Sequence, residues 1–138
     1  MLVKNQWVKV TVLATFLAAL LLGTFMIAPA AHAKGGDATR IALRGSAQYP
    51  NAKGTAKYKA EGGEREFQVE LENAKPLAGK TVDVYANGVK VGSFKVTALG
   101  TGRLNRNTDL GQSVPMIRAG SAIQIKTRAG ALIVSGSF

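Results

Sequence analysis

From Thr39 to Phe138 the chain alternates apolar and polar residues in short runs. Gly, Asn, Asp and Pro interrupt the alternation about every 8–12 residues, the spacing expected of an all-β sandwich or barrel. No stretch in this region sustains the 3.6-residue period of an amphipathic helix. The pattern predicts strands over 39–46, 54–61, 64–72, 80–86, 89–97, 101–105, 121–127 and 131–138. Together they define a single antiparallel β-sandwich of about seven or eight strands with Greek-key-like crossings.

Three turns fix expected registers. A two-residue turn at Gly62-Gly63 sets Lys59 opposite Glu66, Tyr58 opposite Phe67 and Ala56 opposite Val69. Asn87-Gly88 carries the left-handed preference of a type I′ turn, and it sets Ala86 against Val89 and Val84 against Val91. Arg128-Ala129-Gly130 fits a three-residue loop pairing Thr127 with Ala131 and Ile125 with Ile133. In the fifth strand the apolar phase changes between Val91 and Phe94, so a bulge or a bend is expected at Gly92-Ser93. The inward faces give an expected core of Ile41, Leu43, Tyr58, Phe67, Val69, Leu71, Val82, Val84, Val91, Phe94, Val96, Ile123, Ile125 and Ile133.

The first 33 residues follow a different rule. Lys4 and Lys9 form a positive start, Val10 to Ile27 an apolar run, and Ala31-His32-Ala33 a small-x-small cleavage pattern ahead of Lys34. Residues 1–33 therefore read as a secretory signal peptide, 34–38 as a short tether and 39–138 as the folded domain. An uncleaved anchor is the alternative, because the run reaches the lower length of a membrane-spanning helix. Pro29 and the small residues after it favour cleavage. No Cys follows the run to carry a lipid, and no second long apolar segment occurs. The expected location is periplasmic, cell-surface or extracellular, with no membrane span after cleavage. The Ala-rich leader fits a bacterial source.

Removing the leader changes the chemistry available. The only His, His32, and the only Trp, Trp7, lie inside it, and the chain has no Cys. Residues 34–138 thus lack imidazole, thiol and indole, which leaves few routes to general base, nucleophilic or metal catalysis. No Ser-x-x-Lys occurs after the leader. Glu64, Glu66, Glu70 and Glu72 fall on one face of a strand opposite Phe67, Val69 and Leu71, which makes them a solvent face rather than a hydrolytic pair. Asn105-x-Asn107-x-Asp109-x-Gly111 approaches a calcium-loop spacing. It offers one carboxylate, its Gly comes one place late, and Met116 stands where a bidentate Glu belongs. A turn capped by Asn and Asp is the expected reading. Asp83, mid-strand and near Tyr85, is expected to form a structural ion pair or lie exposed. No enzyme activity, cofactor or metal is expected.

Charge points elsewhere. Removing Lys4 and Lys9 from the 18 basic residues leaves 16 against 8 acidic, a net charge of +8. Such a balance attracts anionic polymers of a cell envelope or matrix. Lys53, Lys57 and Lys59 form the densest cluster and are the candidate polyanion contacts. The basic residues are otherwise scattered and few aromatics accompany them, which argues against specific nucleic-acid recognition. The alternative is a protein-interaction module, such as an inhibitor, chaperone or assembly subunit of the envelope. It would use a strand edge or the long 105–120 loop. The terminal Phe138 also suits the closing strand of an outer-membrane barrel. The short strands with charged faces favour a water-soluble sandwich instead.

Leu43-x-Gly45, Pro50-x-x-x-Gly54-x-Ala56 and the Asn87-Gly88 hairpin resemble the secreted chordin-type (CHRD) domain. The resemblance covers the opening third and implies a superoxide-dismutase-like β-sandwich. It departs at the strand end where that family carries a His. Here the stretch reads Val82-Asp83-Val84-Tyr85-Ala86, so the resemblance implies no metal or redox activity.

Overall fold

A computed structural model describes residues 38–138. The expected leader, its cleavage point at Ala31, Ala33 and Lys34, and most of the tether lie outside the described residues. The domain holds eight strands: β1 Thr39–Gly45, β2 Lys53–Glu61, β3 Glu64–Glu72, β4 Thr81–Ala86, β5 Val89–Lys95, β6 Gly102–Asn107, β7 Ala122–Thr127 and β8 Leu132–Ser137. Single 3-10 turns occupy Lys75–Leu77 and Thr108–Leu110.

All strands join one antiparallel sheet in the order β5-β4-β7-β8-β1-β2-β3-β6. The sheet curls until its two outer strands approach side by side without forming a ladder. Across that seam, a Cβ placed on Gly92 would come within 2.8 Å of the Arg106 guanidinium and 3.1 Å of Leu104. A Cβ on Gly102 would lie 2.2 Å from the Phe94 ring. The two glycines thus mark places where side chains from the opposite edge lie directly against backbone.

The β2–β3 register is the expected one, with Lys59 opposite Glu66, Tyr58 opposite Phe67 and Ala56 opposite Val69. Both turn glycines adopt positive φ, as a type I′ turn requires. Asn87 (φ 50°) and Gly88 (φ 79°) make the second such turn, and Ala86 faces Val89.

Two other registers differ by one residue. Val84 pairs with Gly92, not Val91, because the bulge falls one step earlier than the glycine suggested and leaves Val91 as the extra residue. Asp83 consequently faces Ser93. In β7–β8, Ile125 pairs with Val134 rather than Ile133, the ladder shifting between Ile125 and Lys126. That second bulge buries two consecutive side chains, Ile133 and Val134.

The core lies inside the curl. Leu43, Phe67, Val69, Leu71, Val82, Val84, Val96, Ile123, Ile125 and Ile133 are buried as expected, while Ile41, Tyr58, Val91 and Phe94 pack against them partly exposed. Alternation did not reveal Ala52, Ala74, Leu77, Val114 or Ile117, which are buried from loops. Inward strand positions are apolar and outward ones mostly charged or polar, with Ala42, Val89 and Ala122 among the exceptions. A lipid-facing barrel would show the opposite on its outer wall. Phe138 packs against the core. Among the described residues, no helix is long and apolar enough to cross a membrane.

Antiparallel order sends the connections alternately to two ends. Loops 46–52, 73–80, 96–101 and 128–131 gather at one end. The two tight hairpin turns and the 108–121 segment gather at the other.

Candidate functional site

The 105–120 segment is partly folded into the domain, with Leu110 and Met116 left exposed. Its first residues continue β6 to Asn107, and Val114 and Ile117 then bury into the core. The Asn107 side chain accepts from the Asp109 backbone N–H at 2.8 Å, and Gly111 closes the turn at φ 71°. Gln112 Oε1 accepts from the Asn107 N–H at 3.0 Å. Thr108 Oγ1 accepts from the Arg65 N–H at 2.9 Å and fixes the segment to β3. Asn107, the middle residue of the calcium-like spacing, thus uses its side-chain oxygen to cap the turn. Among the described residues, no three His, Cys, Asp or Glu side chains assemble as a metal group.

The acids are strongly segregated. Seven lie within residues 38–138, and five of them, Glu61, Glu64, Glu66, Glu70 and Glu72, belong to the β2–β3 hairpin. Two of the three sequence-designated lysines sit beside this acidic strip and are paired to it. Lys53 meets Glu72 at 3.7 Å, and Lys59 meets Glu61 at 3.2 Å rather than the Glu66 directly opposite. Lys57 stands between Arg40 on β1 and Gln68 on β3. Arg103 of β6 closes the acidic strip from its far side, 2.8 Å from Glu70.

Across the molecule, the outward positions of β5, β4 and β7 carry Lys90, Lys95 and Lys126, with Arg128 just beyond. The one acid on these strands is Asp83, only 6% exposed. It accepts from Ser93 Oγ at 2.7 Å and meets Lys90 Nζ at 3.2 Å. The Ser93 hydrogen bond holds its carboxyl below the ordinary value of 3.8; burial opposes this, and the Lys90 and Arg128 charges add to it. Asp83 is therefore a structural ion pair, one of the two roles expected of it. Lys126 lies over the Tyr85 ring, 5.1 Å from its centroid. The sequence did not single out these lysines. The non-sequential pairing of β4 with β7 is what gathers them.

At the end holding loops 46–52, 73–80 and 128–131, two neighbouring clefts of about 360 and 540 Å³ share Gln48 and Tyr49. Asn51, Asn73 and Lys75 line the first, and Lys80, Thr127 and Arg128 the second. The Tyr49 turn is firmly held. Ser46 N–H donates to the Ile133 carbonyl at 2.8 Å, and Ser46 Oγ donates to the Leu132 carbonyl at 2.7 Å. Ser46 then accepts from the Tyr49 N–H through its carbonyl at 3.1 Å and its hydroxyl at 3.2 Å. The turn folds back so tightly that a Cβ on Gly45 would sit 2.3 Å from the Tyr49 carbonyl. Loop 46–52 gave no periodic signal, so this end was not legible as a site.

No family model, no curated protein and no solved structure matches the chain.

Proposed function

We propose that this chain is a non-catalytic, exported binding module of a cell envelope or matrix, held to anionic polymers by the basic face of β5, β4 and β7. Segregation of charge supports this reading. Five acids are confined to one hairpin, and the single acid on the opposite face is already satisfied by Ser93 and Lys90. A linear polyanion can lie along Lys95, Lys126 and Arg128 without meeting an unpaired carboxylate. Lys57, with Arg40 beside it, adds a second contact. Lys53 and Lys59 are weaker contacts because each already has a carboxylate partner.

The sheet supports a sandwich architecture for this module. Its halves, β5-β4-β7-β8 and β1-β2-β3-β6, enclose one core, and β8 joins β1 through only two register pairs, Arg44 with Ser135 and Gly45 with Val134. Gly45 and Gly54, two glycines of the chordin-type resemblance, both lie where backbone approaches closely. A Cβ on Gly54 would be 2.4 Å from the Glu70 carbonyl.

The test is binding to immobilised polygalacturonate and heparin at about 20 mM and about 0.5 M salt, where screening lengths differ several-fold. Binding is expected at low salt, steeply lost at high salt, and weakened by Lys95→Gln with Lys126→Gln. Salt-independent binding, or none at low salt, overturns it. The exposed Leu110 and Met116 favour a second reading, a protein partner docked on the 108–121 segment. That reading predicts capture of an envelope protein that persists at high salt and is lost on Leu110→Ser.

A further inference from the structure

We propose that the paired clefts around Tyr49 bind the uronate residues of an acidic polysaccharide. This rests on the polyanion reading above and names the chemical class of the polymer. Four observations lead to it.

First, both clefts fall in the size range of small-molecule sites, about 300–1,000 Å³, and they adjoin through a shared tyrosine and glutamine. A site of two adjoining compartments fits successive residues of a chain better than one compact ligand. Second, Tyr49 is an aromatic platform on a rigid base. Its turn is pinned to β8 by the Ser46 hydrogen bonds, and its ring is partly buried against the core. A pre-set aromatic ring suits the apolar C–H face of a pyranose and needs little ordering on binding.

Third, the polar groups around it are amides and cations, with Lys75 among the amides of the first cleft. Gln48, Asn51 and Asn73 offer amides, each able to donate to and accept from hydroxyls. Lys80 and Arg128 flank the second cleft, and the guanidinium fork matches a carboxylate. Fourth, no carboxylate lines either cleft, so nothing there opposes an anionic ligand. A poly(glycerol phosphate) would use the three cations, Lys75, Lys80 and Arg128, but has no pyranose face for Tyr49. A neutral glycan would use the ring and amides and leave the cations idle. The combination selects a carboxylated sugar.

The clefts also open at the end of the sheet where β4 begins and β7 finishes. Arg128 lines the second cleft and follows directly on β7, two residues beyond Lys126. The basic face and the cleft are thus continuous through Arg128. A chain lying on the face can place its end in the cleft.

The experiment is titration of the protein, purified in the form the producing cell exports, with trigalacturonate, maltotriose and tripolyphosphate. Binding is followed by calorimetry and by backbone amide shifts. Trigalacturonate should bind and shift the amides of Gln48, Asn51 and Arg128, maltotriose should bind far more weakly, and tripolyphosphate should not displace the trisaccharide from the cleft. Arg128→Gln and Lys80→Gln, both exposed positions, should each weaken trigalacturonate about tenfold, the scale of one charge-assisted hydrogen bond. Tyr49→Leu keeps the apolar packing but removes the ring, and should weaken it comparably. Equal binding of tripolyphosphate at the same amides, or no effect of Arg128→Gln and Lys80→Gln, overturns the assignment. Polygalacturonate that binds through Lys95 and Lys126 while the trisaccharide leaves the cleft amides unmoved overturns the cleft alone. Trisaccharide binding without polymer binding to the face would sustain the cleft and overturn the broader reading.

Discussion

Replacing Asp83 by Asn tests whether the carboxylate stabilises the basic face electrostatically or merely fills space. The substitution keeps shape and removes charge. In the native protein Asp83 is 6% exposed, 2.7 Å from Ser93 Oγ and 3.2 Å from Lys90 Nζ. A hydrogen bond to a charged group contributes about 1.5–3 kcal/mol and a neutral one about 0.5–1.5, so the Ser93 bond should lose about 1 kcal/mol. Lys90 is half exposed, so its ion pair counts at the surface scale of about 0–1 kcal/mol. The expected loss is about 1–2 kcal/mol at neutral pH. In a domain of this size that lowers Tm by about 5–12 °C. Because the folded-state carboxyl lies below its ordinary value, its contribution is complete above 3.8 and is lost as pH falls through the folded-state value. Thermal melts of wild type and Asp83→Asn should therefore differ fully at pH 7. They should converge as the pH is lowered well past 3.8, provided both remain folded. A gap of the same size at both pH values, or none at pH 7, refutes the electrostatic account.

Two further perturbations probe the fold. Gly54→Ala places a Cβ 2.4 Å from the Glu70 carbonyl in the middle of the sheet, whereas Gly63→Ala meets open space and only an unfavourable φ of 87°. Denaturant melts should show the first losing several kcal/mol and the second about 1–2 kcal/mol; equal losses would mean the sheet yields at Gly54. Ile117→Ala should cost about 2–4 kcal/mol although it lies in an irregular segment, because it empties a buried position. Met116→Ala beside it, 55% exposed, should cost under about 0.5 kcal/mol.

Strand positions were legible because alternation is a local property. One buried face and one wet face impose a period of two on any half-buried strand. The hairpin at Gly62-Gly63 was legible to the residue, since both partners lie within one short segment. Registers near Gly92 and Ile133 were legible only to within one residue. A bulge moves a side chain to the other face, and apolar residues on both sides of it fit either placement. The importance of Val114 and Ile117 was hidden because a loop that covers one end of a core has no period to display.

The β class, about seven or eight strands, the positions of three turns and most core side chains can be read from local pattern alone. The sequence also determined that residues 34–138 carry no His or Cys and an excess of cations. Which hairpins lie beside one another follows only from the folded chain. Pairing β4 with β7 and β8 with β1 is long-range, and it places Lys95 and Lys126 on one face while leaving the glutamates on another. It also placed loops 46–52, 73–80 and 128–131 at a common end, where Tyr49, Lys80 and Arg128 come together. Local alternation sets which side of a strand is buried. Which strands meet is set by how their apolar faces close around a shared core, and that is a property of the whole chain.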